Sequence, residues 1–246
     1  MIYLIGCGGV GGWIVDMLNK LRSKQTIVFV DGDDFELKNR GRQQHCRIGQ
    51  NKAQVLTANY RGPGSFMPRY LTLENVENPP FLLEMSKGSR NVVLCCVDSN
   101  SGREASLALA RKQGALLIVA ANETESASAT VYPTWIPTIF KLEEVYPEWF
   151  TAPVEEVFSV SCTQAAEEKP QTVIANMTAA MFTINLLTRW DLYLAKDINL
   201  DSVSSHPLAE LHFTGYKESC EVKRPWICIP AEHSLNYEYT TKYIVE

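Results

Sequence analysis

Two cations and two amides, Asn39, Arg42, Gln43 and Lys52, fall within one 14-residue stretch of this chain. An aspartate, Asp31, precedes them and a second, Asp33, stands two residues further on. A hydride cofactor has no need of such a set. Attack of a carboxylate on the α-phosphate of a nucleoside triphosphate does need it, because the triphosphate must be neutralised and the developing charge held while pyrophosphate leaves. Arginine grips phosphate bidentately and lysine supplies a point charge, so Arg42 and Lys52 suit that task. A further acid, Asp98, closes the apolar run 91–97 and is placed to hold Mg²⁺ on the pyrophosphate. Each residue also has a plainer reading: a solvated surface arginine, a helix-surface lysine and a helix N-cap.

The elements that position these groups are legible around them. Ile2–Ile5 is a short apolar run ended by glycine, which predicts a buried parallel strand. Gly6-x-Gly8-x-x-Gly11 follows it and opens a helical pattern over Gly11–Leu21, with Trp13, Ile14, Met17, Leu18 and Leu21 at three-to-four spacing. Thr26–Val30 is a second apolar, β-branched run. Asp31 ends it, 20 residues after Gly11, where a carboxylate accepts hydrogen bonds from ribose hydroxyls. This strand–turn–helix–strand unit means a nucleotide; by itself it leaves NAD, FAD and ATP open.

Further along, helices are predicted over 51–60, 79–85 and 101–113, the last capped by Ser99 or Ser101. Strands are predicted over 65–73, 91–97 and 116–121, with Pro68 confining part of the first to an edge. Residues 128–132 alternate and suit an antiparallel partner. Alternating strands and helices imply a doubly wound, Rossmann-like α/β fold with a mostly parallel sheet, whose ligand crevice lies beyond the carboxyl ends of the strands. Gly6–Gly11, Asp31 and Asp98 all fall at such ends.

Residues 133–171 differ, with Pro133, Pro137, Pro147, Pro153 and Pro170 among aromatic and acidic residues, and a long irregular stretch of this kind is usually functional. Residues 172–190 form the most apolar helical pattern of the chain, suited to the core, to a subunit interface, or to both. Residues 208–215 alternate in part like a strand, giving a C-terminal antiparallel extension. The expected organisation is one domain, 1–246, with a nucleotide-binding core over 1–132, a crossover region over 133–171, and an interface helix with C-terminal strands over 172–246.

Composition narrows the function. The chain has 246 residues, a hydrophobic fraction of 46% and a formal charge of −5, with no basic stripe for nucleic acid. No apolar run approaches the ~20 residues that span a bilayer. The first residues enter a strand directly, without a charged leader, so no membrane role and a cytoplasmic location are expected. Seven cysteines, an odd number, favour free thiols. No Cys-x-x-Cys pair occurs, so no structural zinc site is expected. The four histidines, His45, His206, His212 and His233, form no recognisable catalytic pattern.

Taken together, the motifs resemble the ThiF/MoeB/ubiquitin-activating family of adenylyltransferases. The family pattern is a glycine loop, Asp-x-Asp, Asn-x-x-Arg-Gln, Gly-x-x-Lys and Asp-Asn-x-x-x-Arg. Here it reads Gly6–Gly11, Asp31-Gly32-Asp33, Asn39-Arg40-Gly41-Arg42-Gln43, Gly49-Gln50-Asn51-Lys52, and Asp98-Ser99-Asn100-Ser101-Gly102-Arg103. Ser161-Cys162-Thr163 and the helix after it resemble the family's crossover loop. The nearest resemblance is to ThiF-like proteins of bacterial plasmid and phage-type operons, which often accompany a ubiquitin-like protein.

The resemblance implies binding of ATP and Mg²⁺, and activation of the C-terminal carboxylate of a small ubiquitin-like or sulfur-carrier protein as an acyl-adenylate. It assigns Gly6, Gly8, Gly9 and Gly11 to the phosphate loop, Asp31 to the ribose, and Asp33 to the cofactor-binding set. Asn39, Arg42, Gln43 and Lys52 go to the phosphates, and Asp98 to the metal. It implies a homodimer, and a ubiquitin-conjugating-enzyme-like protein as a further partner. Cys162 is the expected acceptor of the acyl group as a thioester, whereas Cys7, Cys95 and Cys96 read as packing. The chain departs from the pattern in three places, one being the absence of the zinc-binding Cys-x-x-Cys pairs that several members carry. Ser99 stands where the family has asparagine, so that role is vacant or passes to Asn100. The arginine that relatives carry ahead of the first strand has no counterpart, which leaves Arg40, Arg103 or another chain to supply it. Alternative readings are a nucleotide-binding scaffold of a conjugation complex, an adenylating enzyme for tRNA or a small carboxylate, and a nicotinamide-dependent oxidoreductase.

Overall fold

The computed structural model describes residues 1–77, 91–122, 126–134, 141–150 and 173–195, together with the short strands at 208–209, 211–214, 220–221 and 225–226. The predicted helix at 79–85 and the segment carrying Cys162 lie outside the described residues.

The chain begins with β1 (Ile2–Ile5), α1 (Gly9–Lys20) and β2 (Ile27–Val30). A single 3₁₀ turn (Leu37–Asn39) leads to α2 (Lys52–Asn59) and β3 (Gly64–Met67), then α3 (Leu73–Glu77). The pair β4 (Val92–Cys95) and α4 (Asn100–Gln113) precedes β5 (Leu116–Asn122) and β6 (Ser126–Pro133). After α5 (Leu142–Val145) come the long helix α6 (Val173–Ala195) and the short strands β7 (Leu208–Ala209), β8 (Leu211–Thr214), β9 (Cys220–Glu221) and β10 (Pro225–Trp226).

The main sheet runs β3-β2-β1-β4-β5-β6-β8-β9. The first four neighbouring pairs are parallel and the last three antiparallel. The chain leaves the central strand β1 first toward β2 and β3, then returns to β4 on its other side, so the switch point lies between β1 and β4. β3 is one edge of the sheet, and it ends at Met67, just before Pro68, which has no N–H for a ladder.

Alternation along each strand divides the core into two layers. Ile2, Leu4, Phe29 and Leu94 face α1, α2 and α6. Tyr3, Ile5, Val30 and Val93 face the opposite layer, which includes α4. Both faces of the parallel strands are covered, which is why β1, β2 and β4 are buried at every position. In α6, Ala175, Ala179, Phe182 and Leu186 are buried, while Val173, Ile174, Met177 and Met181 stand exposed. The helix therefore serves the core on one side and leaves an apolar ridge on the other. Among the described residues no helix is long and apolar enough to cross a membrane.

Candidate functional site

The turn after β1 is shaped by Gly6. Its φ is +91°, and a β-carbon there would meet the Cys96 carbonyl oxygen at 2.6 Å. Only glycine accepts both conditions. α1 then starts with Gly8 as its cap and no side-chain cap bond. Its first N–H groups are left for an outside acceptor, the arrangement that receives phosphate at a helix N-terminus. The helix begins at Gly9, two residues earlier than its apolar periodicity indicates, because Gly9–Gly12 carry no side chain to register the period except Val10.

Asp31 sits against this turn. Its Oδ2 accepts from the Cys7 backbone N–H at 2.6 Å and its Oδ1 from the Asp33 N–H at 2.8 Å. The residue is 8% exposed. Burial pushes its carboxyl above the ordinary value, and Lys52 and the two N–H donors only partly offset this. Asp33 goes the other way. Burial raises it, but hydrogen bonds from Lys52 and Tyr70 outweigh that and hold its carboxyl below the ordinary range.

Lys52, almost fully buried, places Nζ 2.8 Å from Asp33 Oδ2. In this structure the lysine is thus paired with the second aspartate of Asp-x-Asp. Asn51 caps α2 by accepting from the Gln54 N–H at 3.2 Å, and its Nδ2 donates to the carbonyls of Asp31 and Asp33, both at 3.0 Å. The Tyr70 hydroxyl donates to Asp33 Oδ1, and its ring packs against Gly32. Asn51 and Tyr70 belong to none of the functional roles expected from the motifs. The helix predicted from Asn51 starts one residue later, with Asn51 as its cap, and nothing local points to the second task of Asn51 or to Tyr70.

The loop carrying Asn39, Arg42 and Gln43 is braced at several points. Phe35 is buried and exchanges backbone bonds with Gln50 and Gly49 at 2.9 and 2.8 Å. Asn39 is buried, its Oδ1 accepts from the Glu36 N–H at 2.8 Å, and its carbonyl accepts from the N–H groups of Arg42 and Gln43 at 3.1 and 2.9 Å. Asn39 therefore shapes the turn that presents Arg42 and Gln43. His45 anchors the loop on α1, with Nε2 2.8 Å from Asp16 Oδ1. Gln43 lies over the glycine loop, its Nε2 3.7 Å from where a Gly8 β-carbon would be.

Across the crevice, Asp98 follows β4 and is exposed. Ser99, not Asp98, caps α4, accepting from the Gly102 N–H at 3.3 Å. The aspartate is left out of the cap and its carboxylate stands exposed. The described residues contain no group of three or more His, Cys, Asp or Glu that could hold a metal ion by themselves. Asn100, next to the substituted Ser99, is occupied locally: its Nδ2 donates to the Glu148 carbonyl at 3.2 Å and its Oδ1 accepts from Arg103 Nη1 at 3.4 Å. Arg103 lies over the Trp149 ring, 5.8 Å from its centroid. Arg40 is exposed on the loop. Cys7 and Cys95 are buried, and burial pushes both thiols up, which suits packing. Cys96, just past β4, has its thiol pushed up in the same way and is less fully covered.

Residues 1–221 match the model of the ThiF family. The chain belongs to the ThiF family. ThiF-family membership supports an ATP-dependent adenylyltransferase. Solved structures share the fold. E. coli TcdA, a tRNA N6-threonylcarbamoyladenosine dehydratase, has a TM-score of 0.56 at 17% identity, over 80% of this chain and 88% of that one. E. coli MccB, crystallised with AMPCPP and MccA, has a TM-score of 0.61 at 14% identity, over 94% of this chain and 65% of MccB. PaaA has a TM-score of 0.59 at 14% identity, over 92% of this chain and 63% of PaaA. No curated protein matches the ThiF-family chain in sequence.

Proposed function

We propose that this ThiF-family protein activates a C-terminal carboxylate of a small ubiquitin-like or sulfur-carrier protein with ATP. The observation that carries the reading is the meeting, at one end of the sheet, of a glycine-capped helix N-terminus, a buried Asp31 and the braced loop of Arg42 and Gln43. The helix N-terminus suits phosphate oxygens and Asp31 suits ribose hydroxyls. Arg42 suits the charge that develops as the partner's carboxylate oxygen bonds to the α-phosphorus and the α–β bridging bond breaks, its electrons leaving with pyrophosphate. Lys52 keeps Asp33 ionised and in place beside the ribose side. Mg²⁺ bound to the triphosphate would neutralise the leaving pyrophosphate, and Asp98 is the residue suited to hold it.

In the second step the Cys162 thiolate attacks the acyl carbon, forming a thioester and releasing AMP. The exposed ridge of Val173, Ile174, Met177 and Met181 supports association with a second copy of the chain. A ubiquitin-conjugating-enzyme-like protein would then receive the acyl group.

ATP–pyrophosphate exchange tests the first step, measured with small proteins that end in glycine. Exchange that depends on such a protein and is lost in Asp98→Ala is expected. No exchange with any of them, or exchange untouched by Asp98→Ala, sinks the reading. A second reading is favoured by the coverage of TcdA, 88% of its length: the activated carboxylate belongs to a modified tRNA. Exchange driven by a threonylcarbamoyl-adenosine tRNA, and not by a protein terminus, would select it; the net charge of −5 weighs against it.

A further inference from the structure

Asn176, in the first turn of α6, is fully buried, an unusual place for an amide unless all its polar atoms are engaged. Its Oδ1 accepts from Asn122 Nδ2, at the end of β5, at 2.7 Å. Its Nδ2 donates to the Arg42 carbonyl at 3.3 Å. The same amide lies on the glycine loop: a β-carbon at Gly9 would meet Asn176 Nδ2 at 2.5 Å. One side chain thus touches three pieces of the molecule that sequence keeps far apart, the phosphate turn, the Arg42 loop and the last parallel strand.

The bonds also set which way the amide faces. The Arg42 carbonyl can only accept, so the Asn176 atom it meets is the nitrogen, and the oxygen is turned to the Asn122 amide, which donates to it. The amide cannot swing away from Gly9 without breaking one bond or both. Gly9 is then required by Asn176 and not only by the approach of phosphate.

Resting on the nucleotide-binding reading above, we propose that Asn176 is a positioning residue. Held by Asn122, it fixes the backbone of Arg42 against the glycine loop, so that the arginine is set for the phosphate chain before ATP binds. The ribose side, built on Asp31, Asp33, Asn51 and Lys52, shares no bond with it. Asn176 therefore governs how the site discriminates the phosphate chain and leaves its hold on the nucleoside unchanged.

The test measures binding of ATP and of adenosine by calorimetry to the whole chain, wild type and Asn176→Asp. The substitution keeps shape and the acceptor for Asn122, and replaces the donor to Arg42 with an oxygen that repels its carbonyl. We expect ATP affinity to fall at least tenfold while adenosine affinity stays within twofold. ATP affinity within twofold of wild type, or an equal fall for both ligands, overturns the proposal. Wild-type protein that binds no ATP defeats the nucleotide reading itself, a result distinguishable from either. Thermal melting of Gly9→Ala, alone and with Asn176→Ala, guards against a misfolded variant. The single change should lower the melting temperature, and the second should restore part of the loss while ATP affinity stays low. Equal melting of the single and double variants overturns the contact on which the proposal stands.

Discussion

Lys52 and Asp33 form an ion pair of 2.8 Å in which the lysine side chain is 10% exposed and the aspartate 46%. The asymmetry means the two partners are not equivalent. Asp33→Asn strands a charged lysine out of water and should cost about 2 kcal/mol of stability. Lys52→Met keeps the apolar stem and leaves a carboxylate that water can reach, at a cost of about 1 kcal/mol. Urea denaturation at neutral pH decides the order; a larger loss for Lys52→Met than for Asp33→Asn contradicts it.

Acid should weaken the fold through two carboxyls held below their ordinary values. Burial raises Glu143, but Arg111 outweighs it and lowers the carboxyl from its ordinary 4.5, while Lys52 and Tyr70 lower Asp33 from its ordinary 3.8. As pH falls through these values the unfolded chain takes up protons first, so stability present above them is lost. Asp31, raised by burial, acts in the opposite sense: the folded chain protonates it first, and stability gains as pH falls toward its ordinary 3.8. Glu143→Gln should therefore flatten the melting-temperature profile below about pH 4.5, with the exposed Arg111 pair contributing about 0.5 kcal/mol at neutral pH. An unchanged acid slope in Glu143→Gln argues against the pair.

Asp98 and Ser99 are neighbours with separable duties. Ser99→Ala removes the cap of α4 and should cost about 1 kcal/mol of stability. Asp98→Asn, at an exposed position outside the cap, should change stability by less than about 0.5 kcal/mol. It should nonetheless lower pyrophosphate exchange at least tenfold. A stability loss in Asp98→Asn equal to that in Ser99→Ala would give Asp98 a structural role.

Cys162→Ala should leave pyrophosphate exchange intact and abolish an adduct that thiols cleave, seen as a band on non-reducing gels with the activated partner. Survival of that band removes Cys162 as the acceptor.

Much of this architecture is written locally. β1, β2 and β4 are apolar runs closed by glycine, aspartate or a helix cap, so their positions follow from burial on both faces and from the breakers at their ends. Asp31 reaches the glycine loop because a strand, a turn and a helix of ordinary length return the chain there, and α4 ends at Gly114, whose φ of +56° suits glycine. The edge strand is shorter than its run 65–73 suggested, since Pro68 ends the ladder at once.

Other features have no local signature. Asn39 and Lys52, expected at the phosphates, also serve the fold: Asn39 Oδ1 accepts within a buried turn and Lys52 pairs with Asp33. Asn176 stands in an apolar helix pattern where an amide is merely one polar position, and its partner Arg42 is 134 residues away. The sequence by itself determined the succession β1, α1, β2, α2, β4, α4 and β5 and the loop that carries Arg42, because periodicity, glycine and proline act over a few residues. Only the tertiary structure decided which amides meet that loop: a buried polar side chain must find its partner wherever packing brings one, and packing depends on the burial of the whole sheet at once.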